Sequence, residues 1–245
     1  MCNQGNVEVK IMEKTLIKLN HESKEIELNK FDDLDIEIDE NSSLTLKLLN
    51  LDEKASLNIS AKVGKDSYLN VVFADFAKSN IKVTSKVDLV EEGASCDWHL
   101  ATLSIGENSK HFDVSFIHKV GHTNALMDNY GVARDKSKIV FSGINHILNG
   151  SVQSNTAQNA KIIVFDKEAS GVASPILKID ENDVKASHGA VVGQLNNEHM
   201  FYLMSRGLTK EEAKMIITLG YLQPISKNFS EKNRVLIEEA IKEAM

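Results

Sequence analysis

Between Leu34 and Phe165 the chain alternates apolar and polar side chains in short runs. LDIEI (Leu34 to Ile38), LTLKL (Leu44 to Leu48), LNISAKV (Leu57 to Val63), LNVVF (Leu69 to Phe73), IKVTSKVDLV (Ile81 to Val90), WHLATLSI (Trp98 to Ile105) and FDVSFI (Phe112 to Ile117) are the clearest. Each is too brief for a helix, and a period of two gives it one apolar face, so the pattern predicts β-strands. Polar turn material separates them: DENSS (Asp39 to Ser43), GKDS (Gly64 to Ser67), EEGAS (Glu91 to Ser95) and GENSK (Gly106 to Lys110). A local theme recurs in NSSLTL, KASLNI and DSYLNV, where a small polar residue precedes Leu-x-apolar on leaving a turn. Self-similarity at a short, loose period points to an all-β solenoid, in which each coil buries its apolar stripe by stacking on the next. A β-sandwich also gives short strands at this spacing. The solenoid is preferred because the chain holds only 2 prolines, and Asn149-Gly150 is its lone hairpin-type dipeptide.

After Leu195 the pattern turns helical. Asn196 can cap EHMFYLMSR, where Met200, Phe201, Leu203 and Met204 make an apolar stripe and Gly207 suits a left-handed C-cap. Thr209 and Glu212 have capping-box spacing ahead of AKMIITLG, which Gly220 can close. Pro224 then separates a third helix, capped by Ser230 and running through RVLIEEAIKEA. Three short helices are too small a bundle to be stable alone, and are expected to dock on the solenoid end, on a partner, or on both. The expected division is an N-terminal tail with the first strands (1–33), a solenoid core (34–195) and a helical segment (196–245).

With 42% hydrophobic and 26% charged residues, the 245-residue chain has ample material for a core. A net charge of −7 argues against a nucleic-acid surface. Neither MCNQGNVEVK at the start nor any later stretch has the apolar run of a signal peptide or membrane span, so a cytoplasmic location is expected. The 2 cysteines, Cys2 and Cys96, cannot supply the four ligands of an ordinary iron–sulfur cluster, so any cluster must borrow ligands. No Gly-x-x-x-x-Gly-Lys-Ser/Thr loop is present, and nucleotide turnover is therefore assigned to a partner.

YGVARDKSKIVFSGINHI from Tyr130, NTAQNAKIIVFDKEASGVASPILKI and ENDVKASHGAVVGQLNNEHMFYLMSRGL follow. These segments resemble the C-terminal half of the SufB/SufD family of iron–sulfur cluster assembly scaffolds. Asp183-Val184-Lys185 and Ser187 through Gly207 follow the family signature nearly residue for residue; before Tyr130 only the strand rhythm agrees. The resemblance implies a right-handed parallel β-helix with a small C-terminal α-helical segment. It also implies pairing with a SufB-type subunit or a second copy, and a helical region that binds a SufC-type ABC ATPase, with Phe201, Tyr202 and Arg206 as candidate contacts. A nascent iron–sulfur cluster, transient and shared with the partner, would assemble at the subunit interface. His188 occupies the family's ligand position, and neutral imidazole suits iron. Many SufD-like members have Cys where this chain has Ala186, and SufB-like members have Glu where it has Gly189. Both departures point to the D-type partner, or to a reduced paralogue that keeps only an architectural role. No catalytic residue is assigned.

The other candidates have plainer readings. His118 and His122 are four apart, a ligand spacing on a helix, but lie where a strand enters a turn. His99 and His111 are expected to be solvated or interfacial. Cys96 and His99 are expected on opposite faces of a strand, which makes Cys96 a small core residue and not a nucleophile. Cys2 is expected in a terminal tail. Asp32, Asp33, Asp35, Glu37, Asp39 and Glu40 could suggest a β-helix carbohydrate enzyme, yet their period of two reads as the wet face of a strand.

Overall fold

A computed structural model describes residues 14–244. Strands β1 (Lys14–Leu19), β3 (Asp33–Ile38), β5 (Ser56–Val63), β7 (Ile81–Leu89), β9 (Ser109–His118), β11 (Lys138–Ile147) and β13 (Ser170–Ile179) stack into one sheet. Strands β2 (Ser23–Leu28), β4 (Ser43–Asn50), β6 (Tyr68–Asp75), β8 (Ser95–Ser104), β10 (Asn124–Ala133), β12 (Asn155–Val164) and β14 (Lys185–Gln194) form the other. Every pairing is parallel and joins strands one coil apart. The protein is therefore a two-sheet solenoid, and the sandwich alternative, which needs antiparallel neighbours, is excluded.

The corners before β2, β4, β6, β8, β10 and β12 each carry a left-handed residue: His21, Asn41, Asp66, Gly93, His122 and Gln153 all have positive φ. Their amides tie coil to coil, as in Asn41 N–H to Lys65 O (2.9 Å), Asp66 to Glu92 O (3.0 Å) and His122 to Val152 O (2.9 Å). Glycine is favoured at Gly93, where φ is +78° and an added Cβ would stand 3.0 Å from the Asp66 Cα.

The coil widens toward the C-terminus. Lys14 pairs with Asp33, 19 positions on, whereas Lys138 pairs with Ser170, 32 positions on, and strands grow from 6 to 10 residues. The narrow end is filled by aliphatic residues such as Leu34, Leu44, Leu46 and Val71. A T-shaped aromatic chain, Phe31–Phe73–Phe112–Phe141, with Trp98 against Phe73, runs from the narrow end into the wider coils. The wider coils also enclose polar groups, each needing a partner. Trp98 Nε1 donates to Asn129 Oδ1 at 3.1 Å. Lys110 and Asp75 form a fully buried ion pair at 2.7 Å.

His118 is buried at the end of β9, with Nδ1 2.8 Å from Thr123 Oγ1 and no partner on Nε2. Burial lowers its pKa from 6.5 to about 4. The unfolded chain therefore binds more protons than the folded one between those values, so this contribution is fully present above pH 6.5 and is lost as pH falls toward 4. The loss is about 3 kcal/mol. Urea titrations at pH 7 and at pH 4 should show that His118→Leu is less acid-sensitive than wild type by about that amount; equal acid sensitivity would contradict it.

The helices are α1 (Asn197–Ser205), α2 (Lys210–Ser226) and α3 (Glu231–Glu243). Helices α2 and α3 dock on the flank of the solenoid and not on its end. Leu222, Ile225, Phe229, Ile237 and Ile241 pack over outward-facing Leu49, Val72, Ala74, Ala101 and Val132. The small side chains Ala74 and Ala101 admit the close approach. At the narrow end, Glu27 accepts from Ser230 N (3.0 Å) and Ser230 Oγ (2.6 Å) at the N-terminus of α3, where a carboxylate complements the helix dipole. Helix α2 does not stop at Gly220, and Pro224 lies inside it. Leu222 and Ile225 are buried on the flank, so packing on both sides of Pro224 outweighs the one hydrogen bond a proline forgoes in a last turn. The expected stripe on α1 is mostly unburied, with Met200 its only buried member. Among the described residues no helix is long and apolar enough to cross a membrane.

Candidate pairing and ligand site at the open end of the solenoid

No coil of the described chain covers the wide end, where β13 and β14 are the outer strands of their sheets. Along β14 every residue is exposed except Gly193, which is half-buried. The register places His188 beside Gln158, which in turn lies beside Met127, with Trp98 and Val71 below. Gln158, Met127, Trp98 and Val71 are buried core residues, so His188 continues an inward-facing column and stands exposed in the mouth of the lumen. Beneath it Gln158 spans the lumen, its Nε2 donating to Ile176 O of β13 at 3.0 Å. Gly143 makes room for that crossing, since a Cβ there would lie 2.3 Å from Gln158 Oε1. The amide is thus a floor under the imidazole that ties the two open strands together.

Ala186 occupies the neighbouring inward column, above Thr156, Ala125 and Cys96. Cys96 is fully buried, and burial, followed by the nearby Asp97 charge, pushes its thiol pKa well up. A neutral, enclosed thiol is neither a ligand nor a nucleophile. Gly189 faces outward beside Asn159, whose amide donates to Asp128 at 2.8 Å. A carboxylate at position 189 would therefore sit on the outer face and not beside His188.

Next to the mouth, α1 leaves Phe201 75% and Tyr202 57% exposed, and Arg206 lies 5.2 Å over the Tyr202 ring. Below them Lys214 pairs with Asp166 at 3.2 Å. Burial of Asp166 opposes ionisation, but the Asp135 backbone N–H and the Lys214 ammonium hold its carboxyl below the usual range. The exposed aromatic pair beside a cleft of ≈ 500 Å³ makes a surface suited to protein contact.

The remaining candidates are not gathered into a site. His118 is buried and His122 exposed. His99 lies 3.6 Å from Asp128 on the outer face, and His111 contacts Ser109 at 3.0 Å. Cys96 is buried and His99 faces outward, as the strand alternation requires; Cys2 lies outside the described residues. Asp35 and Glu37 are paired with Lys14 and Lys18 on a solvated strand face, which is no carbohydrate cleft. Among the described residues no three of His, Cys, Asp or Glu could hold a metal ion. Gln158 was not apparent from sequence: it follows the strand period, but its place under His188 depends on a register of 30 positions between β12 and β14.

Comparison with known proteins agrees with this architecture. Residues 6–221 match the family described as SUF system FeS cluster assembly, SufBD core domain. The chain belongs to the SufBD family. It is 31% identical over 162 residues to the iron–sulfur cluster assembly protein SufD of Bacillus subtilis, covering 66% of this chain and 37% of the relative. It is also 27% identical over 126 residues to a SufBD family protein of Staphylococcus saprophyticus, covering 51% of this chain and 27% of the relative. The chain thus matches well under half the length of each of these relatives.

Proposed function

We propose that this protein is a SufD-like, non-enzymatic scaffold subunit in cytoplasmic iron–sulfur cluster assembly, pairing through its open wide end with a SufB-type subunit or a second copy of itself. The observation that carries the reading is His188, exposed at the mouth of the lumen on a strand whose outer edge has no neighbouring strand among the described residues. A single imidazole is an incomplete coordination set, so the cluster is cargo, held transiently with ligands supplied across the interface. Helix α1, through Phe201, Tyr202 and Arg206, would take a SufC-type ABC ATPase, which supplies the nucleotide chemistry. Ala186 favours a second reading, in which the protein keeps the pairing role without cluster chemistry. Co-expression with SufB- and SufC-type partners, pull-down and anaerobic visible absorption test both. A ternary complex with cluster absorption is expected. Capture without any dependence of absorption on this subunit would favour the purely architectural role, and failure to capture either partner would contradict the proposal.

A further inference from the structure

Asn149-Gly150 is the one Asn-Gly dipeptide of the chain, and it forms the tip of a turn between β11 and β12. Ser151 N–H donates to Leu148 O at 3.0 Å, and Gly150 has a φ of +86° while Asn149 stays out of the left-handed region, as in a type II turn. Both residues are exposed, and a Cβ built on Gly150 would meet nothing within 4 Å. An asparagine followed by glycine can modify itself. The Gly150 nitrogen attacks Asn149 Cγ, the N–Cγ bond forms, the Cγ–Nδ2 bond breaks, and the Nδ2 group leaves as ammonia with the proton of the Gly150 amide. Water then opens the five-membered succinimide to aspartate or isoaspartate. Glycine presents no side chain to obstruct the attack.

In the folded chain the next coil occupies both reacting groups. Gly150 N–H donates to Glu181 Oε2 at 3.0 Å, and Asn149 Nδ2 donates to Asp180 O at 3.3 Å. The backbone amides of Asn182 and Gly150 hold the Glu181 carboxyl below its usual range, so it is ionised and accepting at neutral pH. The Gly150 nitrogen must therefore give up a charge-assisted hydrogen bond before it can attack. The segment bearing Asp180 and Glu181 is itself tied down by Asp180 N–H to Ile147 O (2.9 Å) and Gln153 N–H to Asp183 O (2.6 Å), and it leads directly into β14. Reaction would turn the Asn149 donor into a carboxylate beside the Asp180 carbonyl and the Glu181 carboxylate, and isoaspartate would add a methylene to the turn backbone.

We propose that Asn149 is a site of self-modification by deamidation, that the Glu181 carboxylate keeps it unreacted while the outer coil is closed, and that the modified residue loosens that coil. This depends on neither cluster chemistry nor subunit pairing. The test is incubation of the full chain in mildly alkaline buffer, with peptide mass spectrometry following amide-to-acid conversion at Asn149. Wild type unfolded in urea should react about tenfold or more faster than native wild type, since closure then needs no opening of the coil. Equal rates overturn the proposal, and this comparison needs no variant. Glu181→Ala should speed the native reaction by about threefold or more, and Glu181→Gln, whose amide oxygen can still accept from Gly150, by less than about twofold. An unchanged rate in Glu181→Ala overturns the guarding role, and a slower one would mean that the carboxylate promotes the attack, which also overturns it. Asn149→Asp, which carries the charge of the product, should raise amide hydrogen exchange at Gln153 and Asp180 by about threefold or more; unchanged exchange overturns the loosening.

Discussion

Lys110→Met should lower the free energy of unfolding by about 3–5 kcal/mol, measured by urea denaturation at neutral pH. Lys110 Nζ lies 2.7 Å from Asp75 Oδ2 and 2.8 Å from Ala77 O. Asp75 also accepts from Asn50 Nδ2 at 2.7 Å and Thr102 Oγ1 at 3.0 Å. Both side chains are fully buried, so the network is satisfied as it stands and becomes costly once a partner is missing. Methionine fills much of the volume of lysine but leaves a carboxylate enclosed without its cation. Adding Asp75→Asn removes that charge and should recover part of the loss. A single-variant loss below about 1 kcal/mol would mean that water or relaxation reaches the pair.

This ion pair also marks a limit of sequence reading. Strand alternation places Lys110 on the apolar face of β9, with Phe112, Val114 and Phe116. Its partner on β6 is 35 positions away, and no local period reveals it. What is local was legible. Every strand anticipated between Leu34 and Ile117 is present to within a few residues, because period-two alternation and turn chemistry are properties of neighbouring residues. The helix caps at Asn196, Thr209 and Ser230 are likewise in place.

What required tertiary contact was less legible. Helix α2 continues beyond Gly220 and through Pro224 because a sheet flank stabilises it. The widening of the coil is also hidden, since successive half-coils differ by only a few residues and blur any fixed repeat. At the open end, the signature around Ser187 through Gly207 identified the region, but only the register shows that Ala186 and His188 share the lumen side while Gly189 faces out.

His188→Ala is expected to lose at least about tenfold of the cluster bound by the assembled complex, since even the partners behind a metal ligand commonly account for 10–100-fold in affinity. The side chain is exposed and makes no contact that β14 needs to hold its place, so folding stability should stay within about 0.5 kcal/mol of wild type. Partner capture should also persist, because pairing would use backbone groups that alanine retains. The decisive measurement is anaerobic visible absorption of the purified complex, wild type against His188→Ala, normalised to captured subunits. Loss of the cluster bands with the complex intact is the predicted result; unchanged bands would contradict the account.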